Sequence, residues 1–416
     1  MIRLTSWQPN PQSAIDELLD RGHLEAYAVP TMSDSLSLSP LDKPTSARRA
    51  FLSRRQWLAA SAALPFLLPG CERDPGLLRI VVIPKGMTHE FWLSIHRGAE
   101  RAADDFKVEG TRVQIIWDGP LRERDILEQI AIVDRRIATG VNGIVLAPQH
   151  SRIMSAPVKR AQEENIPVVV IDSGLADEAG MIKYVATDNY NGGWLAAEHL
   201  ARTLGAEGKT EPKLILLRYQ VGSESTERRE QGFLDYFDPD KRDRPRHGPL
   251  PTVRWLSDNQ YAGATRDSAS RAAGPLVQQF KDQADAIFAP NESSASGTLD
   301  VLRSQELNFG DPKNKRRIHL MGFDSSKPLL QAIADGDVDG SIIQDPYKMG
   351  YVGVTVLVRF IQGEDVNEHR TQMTQSTGEY LVTRANVHDP ETVKRFDPAE
   401  QAKRNMREEL VMTATS

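Results

Sequence analysis

Three polar residues stand at or just beyond the ends of apolar runs that read as β-strands. Asp172 closes PVVVID (167–172), Asn291 lies in DAIFAPNE (285–292) and Asp324 closes IHLMGFD (318–324). Carboxylates offer two acceptors in a plane, and an amide offers a donor and an acceptor. Such groups suit the capture of a polar ligand through hydrogen bonds, and Asp172 with Asp324 also has the composition of an acid/base pair. The same residue types cap helices and form turns. Their recurrence at matching strand ends in two halves of the chain favours a shared site.

Other chemistry is poorly represented. The chain of 416 residues has one cysteine, Cys71, so no intramolecular disulfide and no cysteine-based metal site can form. There is no GxSxG elbow, no HExxH and no P-loop. The expectation is a non-enzyme without cofactor or metal. A net charge of −6 argues against a nucleic-acid surface. Hydrophobic content of 40% and charged content of 26% are those of a soluble globular chain, and no apolar run reaches membrane-spanning length.

The elements that must position these residues alternate. RIVVIPK (79–85), VQIIWDG (113–119), GIVLAP (143–148) and PVVVID read as strands separated by amphipathic helices such as 91–106 and 124–140. The scheme repeats from KLILLRY (213–219) through VRWLSD (253–258), DAIFAPNE and IHLMGFD. A βαβα order implies parallel sheets covered by helices. The expected fold is α/β, with two similar units of about one domain length each. Ligands of open parallel sheets bind beyond the carboxyl ends of the strands, and clefts between domains favour such sites.

The segment before residue 78 differs. Much of 1–50 is Ser/Pro-rich and reads as disordered, and Met32 offers a second start codon. Arg54 and Arg55 then precede an apolar run, Trp57 to Leu68, that ends near Cys71. This run has the length of a signal-peptide core. SRRQWL resembles the twin-arginine export signal, and LLPGC resembles the lipobox of bacterial lipoproteins. Those resemblances imply export to the periplasm and a membrane tether through lipidated Cys71.

From residue 79 to about 390 the chain resembles the periplasmic substrate-binding proteins of the ribose-binding type. The motifs are THEFW, VNGIVLAP, IPVVVIDS, ATDNYNGG, ERREQGF, AIFAPNE, MGFDSS, IIQDPYKMG and TGEYLVTRANV, in that order. The resemblance implies two Rossmann-like parallel-sheet lobes joined by three crossover segments that close on one sugar. It carries ligand contacts to Phe91, Trp92, Asp172, Arg229, Asn291, Asp324 and Gln344, with aromatic faces stacking on sugar rings. Asp188 and Asn189 are read as cap and crossover residues rather than ligands.

Departures from the pattern fall on His89, where an asparagine is usual, on Ser173, where ribose binders have arginine, and near Asn259, where an aromatic is usual. His89 and Asn259 join the candidate contacts, and the ligand is expected to be a pentose other than ribose, a hexose or a polyol. The implied organisation is a leader over 1–77, an N-terminal lobe over 78–187 plus 345–375, a C-terminal lobe over 188–344 plus 376–390, and a loose tail over 391–416. Exposed insertions are expected at 237–253 and 309–318. The implied function is a monomeric solute-binding protein that delivers its sugar to an ABC importer permease. Presentation to a sensor kinase or chemoreceptor is the alternative, and a lac-repressor-type regulator lacks the required N-terminal DNA-binding unit.

Overall fold

Ile80 and Val82 pack to one side of the first strand and Val81 and Ile83 to the other, all fully buried. Each such side chain contributes roughly 1.5–3 kcal/mol. A strand buried on both faces needs helices above and below its sheet. The computed structural model describes residue 74 and residues 76–241, 251–307, 317–366 and 374–414. Arg54, Arg55 and Cys71, the middle of the 237–253 insertion and most of the 309–318 insertion lie outside the described residues.

Strand β1 (Leu77–Ile83) lies in a parallel sheet with the order β2 (Arg112–Trp117), β1, β3 (Gly143–Leu146), β4 (Val168–Ile171), β5 (Met181–Ala186) and β11 (Thr374–Ser376). Helices α1 (Glu90–Val108) and α9 (Pro346–Ile361) cover one face, and α2 (Ile126–Ala138) and α3 (Ser155–Glu163) the other. The second sheet repeats the plan, in the order β7 (Arg254–Tyr261), β6 (Lys213–Arg218), β8 (Ala286–Phe288), β9 (His319–Phe323), β10 (Gly340–Ile343) and β12 (Tyr380–Val382). Only β12 is antiparallel to its neighbour. Helices α4 (Asn189–Ala206) and α5 (Glu224–Phe237) pack against Leu214 and Leu216. On the opposite face, α6 (Arg266–Phe280), α7 (Glu292–Ser304) and α8 (Lys327–Asp335) pack against Ile215 and Leu217.

Among the described residues the chain passes between the sheets three times, from β5 into α4, from β10 into α9 and from β11 into β12. These are the crossovers of a two-lobed α/β protein with a cleft between the lobes. Two glycines set the local geometry beside one crossover. A Cβ on Gly193 would fall 1.9 Å from the carbonyl oxygen of Arg229, and one on Gly232 would fall 2.0 Å from that of Tyr190. Only glycine lets α4 and α5 approach this closely.

The reading of 391–416 as a loose tail is corrected. Helices α10 (Pro390–Phe396), α11 (Pro398–Gln401) and α12 (Met406–Ala414) form a strap across both lobes. Phe396 packs on the core of the second lobe, and Met406 is fully buried in that of the first. Arg404 donates from Nη1 to Oδ1 of Asp345 at 2.8 Å and pairs with Glu409, while Gln401 accepts from Ser94 Oγ at 3.0 Å. The strap is held largely by ionic and amide bonds, so its polar composition disguised its burial.

Candidate ligand-binding cleft

Asp172 and Asp324 both adopt the left-handed backbone conformation, with φ of 65° and 66°. They follow β4 and β9 at corresponding places in the two sheets. A left-handed aspartate is uncommon, and its appearance in both lobes marks a sharp turn that aims each carboxylate outward from its strand end.

A cleft of about 500 Å³, counted to its open mouth, is lined by both aspartates. His89, Phe91, Arg229, Asn291 and Gln344 also line it. The structure therefore brings together seven of the nine candidate contacts.

Arg229 is the best-supported side chain. It is 2% exposed, and its Nε donates to Asn189 Oδ1 at 2.8 Å. Its Nη1 donates to the Pro290 carbonyl at 2.9 Å and lies 3.4 Å from Asp324 Oδ2. The guanidinium also stacks on Phe323, 3.8 Å from the ring centroid. Asp324 accepts from Gln344 Nε2 through its other oxygen. Asn291 caps α7 by accepting from Ser294 N at 3.2 Å while also lining the cleft. Asp188 caps α4, and Asn189 fixes Arg229, so both act at the crossover.

Two expected contacts lie elsewhere. Trp92 is 3% exposed and sits in the core under α1, edge-on to Phe91. Successive helical residues point about 100° apart, so Phe91 and Trp92 cannot both face the cleft. Only the indole nitrogen of Trp92 reaches toward it, donating to Glu123 Oε1 at 2.8 Å. Asn259 is exposed on the edge strand β7, whose register against β6 shifts twice, and Ala264 provides the cleft wall instead.

Sequence reasoning missed Lys85, Glu123, Tyr219, Ser225 and Glu292, which all line the cleft. Lys85 Nζ lies 2.8 Å from Asp172 Oδ2 and donates to Ser225 Oγ at 3.2 Å, joining the lobes. Glu123 accepts from Tyr219 OH at 2.8 Å, a second interlobe bond. The signal was present: Lys85 and Tyr219 stand at the carboxyl ends of the first strands of the two halves, where the strand-end rule applies equally.

His89 and Glu292 make a third bridge, Nε2 to Oε2 at 3.2 Å. Burial opposes charge on His89, but the Glu292 hydrogen bond and charge, with Glu123 and Asp324 beyond, outweigh it and raise the pKa to about 9. Burial likewise disfavours the Glu292 carboxylate, but His89, Ser296 and Ser326 outweigh it and lower the pKa to about 2. The Nδ1 atom of His89 also accepts from Phe91 N at 3.1 Å. That cap bond needs an unprotonated Nδ1, so it competes with the charged form that Glu292 favours.

A cleft lined by paired carboxylates, guanidinium, amides and an aromatic, set between two parallel-sheet lobes, defines a two-lobed binding protein. The family model described as "Periplasmic binding protein domain" matches residues 80–365, and the chain belongs to that family. It is 25% identical over 342 residues to the D-ribose/D-allose-binding protein of Pseudomonas aeruginosa, covering 81% of this chain and 98% of that protein. It is 27% identical over 282 residues to the ribose import binding protein RbsB of Bacillus subtilis, covering 68% and 81%. Among solved structures, a carbohydrate transporter solute binding protein from Agrobacterium radiobacter in complex with D-arabinose superposes with a TM-score of 0.67 at 27% identity. That match covers 78% of this chain and 100% of that one. A solute binding protein from Agrobacterium vitis with bound D-fucose gives 0.65 at 27% identity, covering 76% and 98%.

Proposed function

We propose that this protein captures a monosaccharide or polyol in the interlobe cleft and delivers it to an ABC importer. The observation that carries this reading is the Arg229–Asp324–Gln344 group beside Phe91. Planar, pre-oriented donors and acceptors match sugar hydroxyls, and an aromatic face matches the apolar side of a ring. Such fixed polar groups reject a ligand that lacks the matching hydroxyl, because the site is then left unpaired. No acid/base chemistry is assigned to Asp172 and Asp324: Lys85 occupies the first, and Arg229 and Gln344 occupy the second.

The bonds Lys85–Ser225, Glu123–Tyr219 and His89–Glu292 each join one lobe to the other, so separating the lobes would break them. In an open form water would take over these hydrogen bonds, and the attraction between His89 and Glu292 would be lost. A ligand that contacts both lobes would then decide the balance, and the closed surface would be what the permease meets. A thermal-shift screen of pentoses, hexoses and polyols tests the assignment. A ligand at about 100 times its Kd should add about 2.7 kcal/mol of stability, and a flat response across the panel would contradict it.

We further propose that the protein works outside the cytoplasm, tethered through Cys71 after export on a twin-arginine signal. One acyl chain holds a protein only marginally, and two or three hold it firmly. Mass spectrometry of the mature N-terminus decides this: an unmodified Cys71 still joined to Gly70 is incompatible with it.

A further inference from the structure

A second cavity opens beside the cleft, and it is the larger of the two, about 790 Å³ against about 500 Å³, each counted to its mouth. Phe91, Asp324 and Gln344 line both, so the two spaces share a wall. The far side of the second cavity comes from Phe396, Pro398 and Gln401 of the C-terminal strap, beyond the 80–365 span of the family match.

The lining of this side cavity is divided. Arg97, Ser325 and Lys327 supply polar groups, and Leu330, Phe396 and Pro398 supply apolar surface. Sugar rings have the same two-sided character, with hydroxyls at the edge and C–H groups on the faces. Gln344 is 4% exposed, its amide nitrogen is committed to Asp324, and its buried Oε1 has no hydrogen-bond partner. The buried Nε of Arg97 also lacks one, although its Nη2 donates to Gln401 Oε1 at 3.2 Å. Both unpaired atoms are buried and belong to residues that line the cavity, so a small side-chain shift on binding would let ligand hydroxyls satisfy an acceptor and a donor that otherwise cost stability.

We propose that the side cavity is a subsite for a second sugar unit, so that, besides a monosaccharide in the cleft, the protein takes a disaccharide whose first ring lies against Arg229 and Asp324. This rests on the sugar-binding reading of the cleft. Gln344 then bonds the linked sugar from the shared wall, Arg97 and Lys327 meet the second ring's hydroxyls, and Phe396 meets its face.

The test is isothermal titration of the full chain with D-ribose, D-allose, D-glucose and D-galactose, and with cellobiose, lactose and melibiose. At least one disaccharide should bind about tenfold or more tightly than its better-bound component monosaccharide. Ser325 lines the side cavity and not the cleft. Ser325→Trp should fill the subsite and remove the disaccharide advantage while leaving monosaccharide affinity unchanged. Arg97→Ala should reduce the same advantage without adding bulk. Monosaccharide binding with no disaccharide advantage overturns the subsite and leaves the cleft assignment standing. An advantage that survives Ser325→Trp also overturns it. Binding by no sugar of either set overturns both.

Discussion

The ammonium of Lys85 lies 2.8 Å from Oδ2 of Asp172, and both side chains are 5% exposed. A cation from the end of β1 thus balances the carboxylate at the end of β4. Removing one member of a buried pair leaves the other uncompensated and costs about 3–5 kcal/mol. Lys85→Met should therefore lower the unfolding free energy by about that amount in a denaturant titration. A loss under about 1 kcal/mol would show that Asp172 is solvated or paired elsewhere.

The left-handed backbone at Asp324 separates charge from conformation. Asparagine tolerates this conformation, and a β-branched residue does not. Asp324→Asn keeps the backbone conformation, so it should lose only the charge attraction to Arg229 and weaken the bound sugar by about 1–3 kcal/mol. Asp324→Val should in addition lose at least about 1–2 kcal/mol of stability from backbone strain. Equal melting temperatures for the two variants would contradict the backbone argument.

The strap makes its own prediction. Arg404 is 5% exposed and Asp345 fully buried, and Arg404 Nη2 lies 2.7 Å from Asp345 Oδ2. Asp345 also caps α9 by accepting from Lys348 N at 3.0 Å. Arg404→Ala should destabilise the protein by about 3–5 kcal/mol. Thermal unfolding checks it, and an unchanged midpoint would mean that the strap is dispensable.

The His89–Glu292 bridge should leave a signature in pH. The folded pKa of His89 is raised from 6.5 to about 9, so its contribution is full below 6.5 and is lost as pH rises through about 9. That of Glu292 is lowered from 4.5 to about 2, so its contribution is full above 4.5 and is lost as pH falls through about 2. The pair therefore works best between 4.5 and 6.5. The melting temperature of wild type should exceed that of Glu292→Gln most in this window, and the gap should narrow toward pH 9. A gap independent of pH would contradict the pairing.

The parts of this molecule that follow from local rules were legible in the sequence. Alternating strands and helices announced both lobes, and the strand-end rule led to Asp172, Asn291 and Asp324. The parts that depend on phase and register were not. Which of Phe91 and Trp92 faces the cleft turns on the helical rotation of α1, and the side-chain direction of Asn259 turns on irregular β6–β7 pairing. Lys85 was hidden because a lysine after a strand usually meets water. The C-terminal helices were hidden because Arg404 and Gln401 are buried by partners more than 50 residues away, which no local pattern displays.

We propose the cleft between Asp172 and Asp324 as the sugar site. Isothermal titration of wild type and Asp324→Asn with the sugar or polyol of greatest thermal shift tests it most directly. Saturable one-to-one binding to wild type is expected, weakened about 5- to 150-fold in Asp324→Asn, corresponding to about 1–3 kcal/mol. Equal affinity in the two proteins would place the ligand outside this cleft and contradict the assignment.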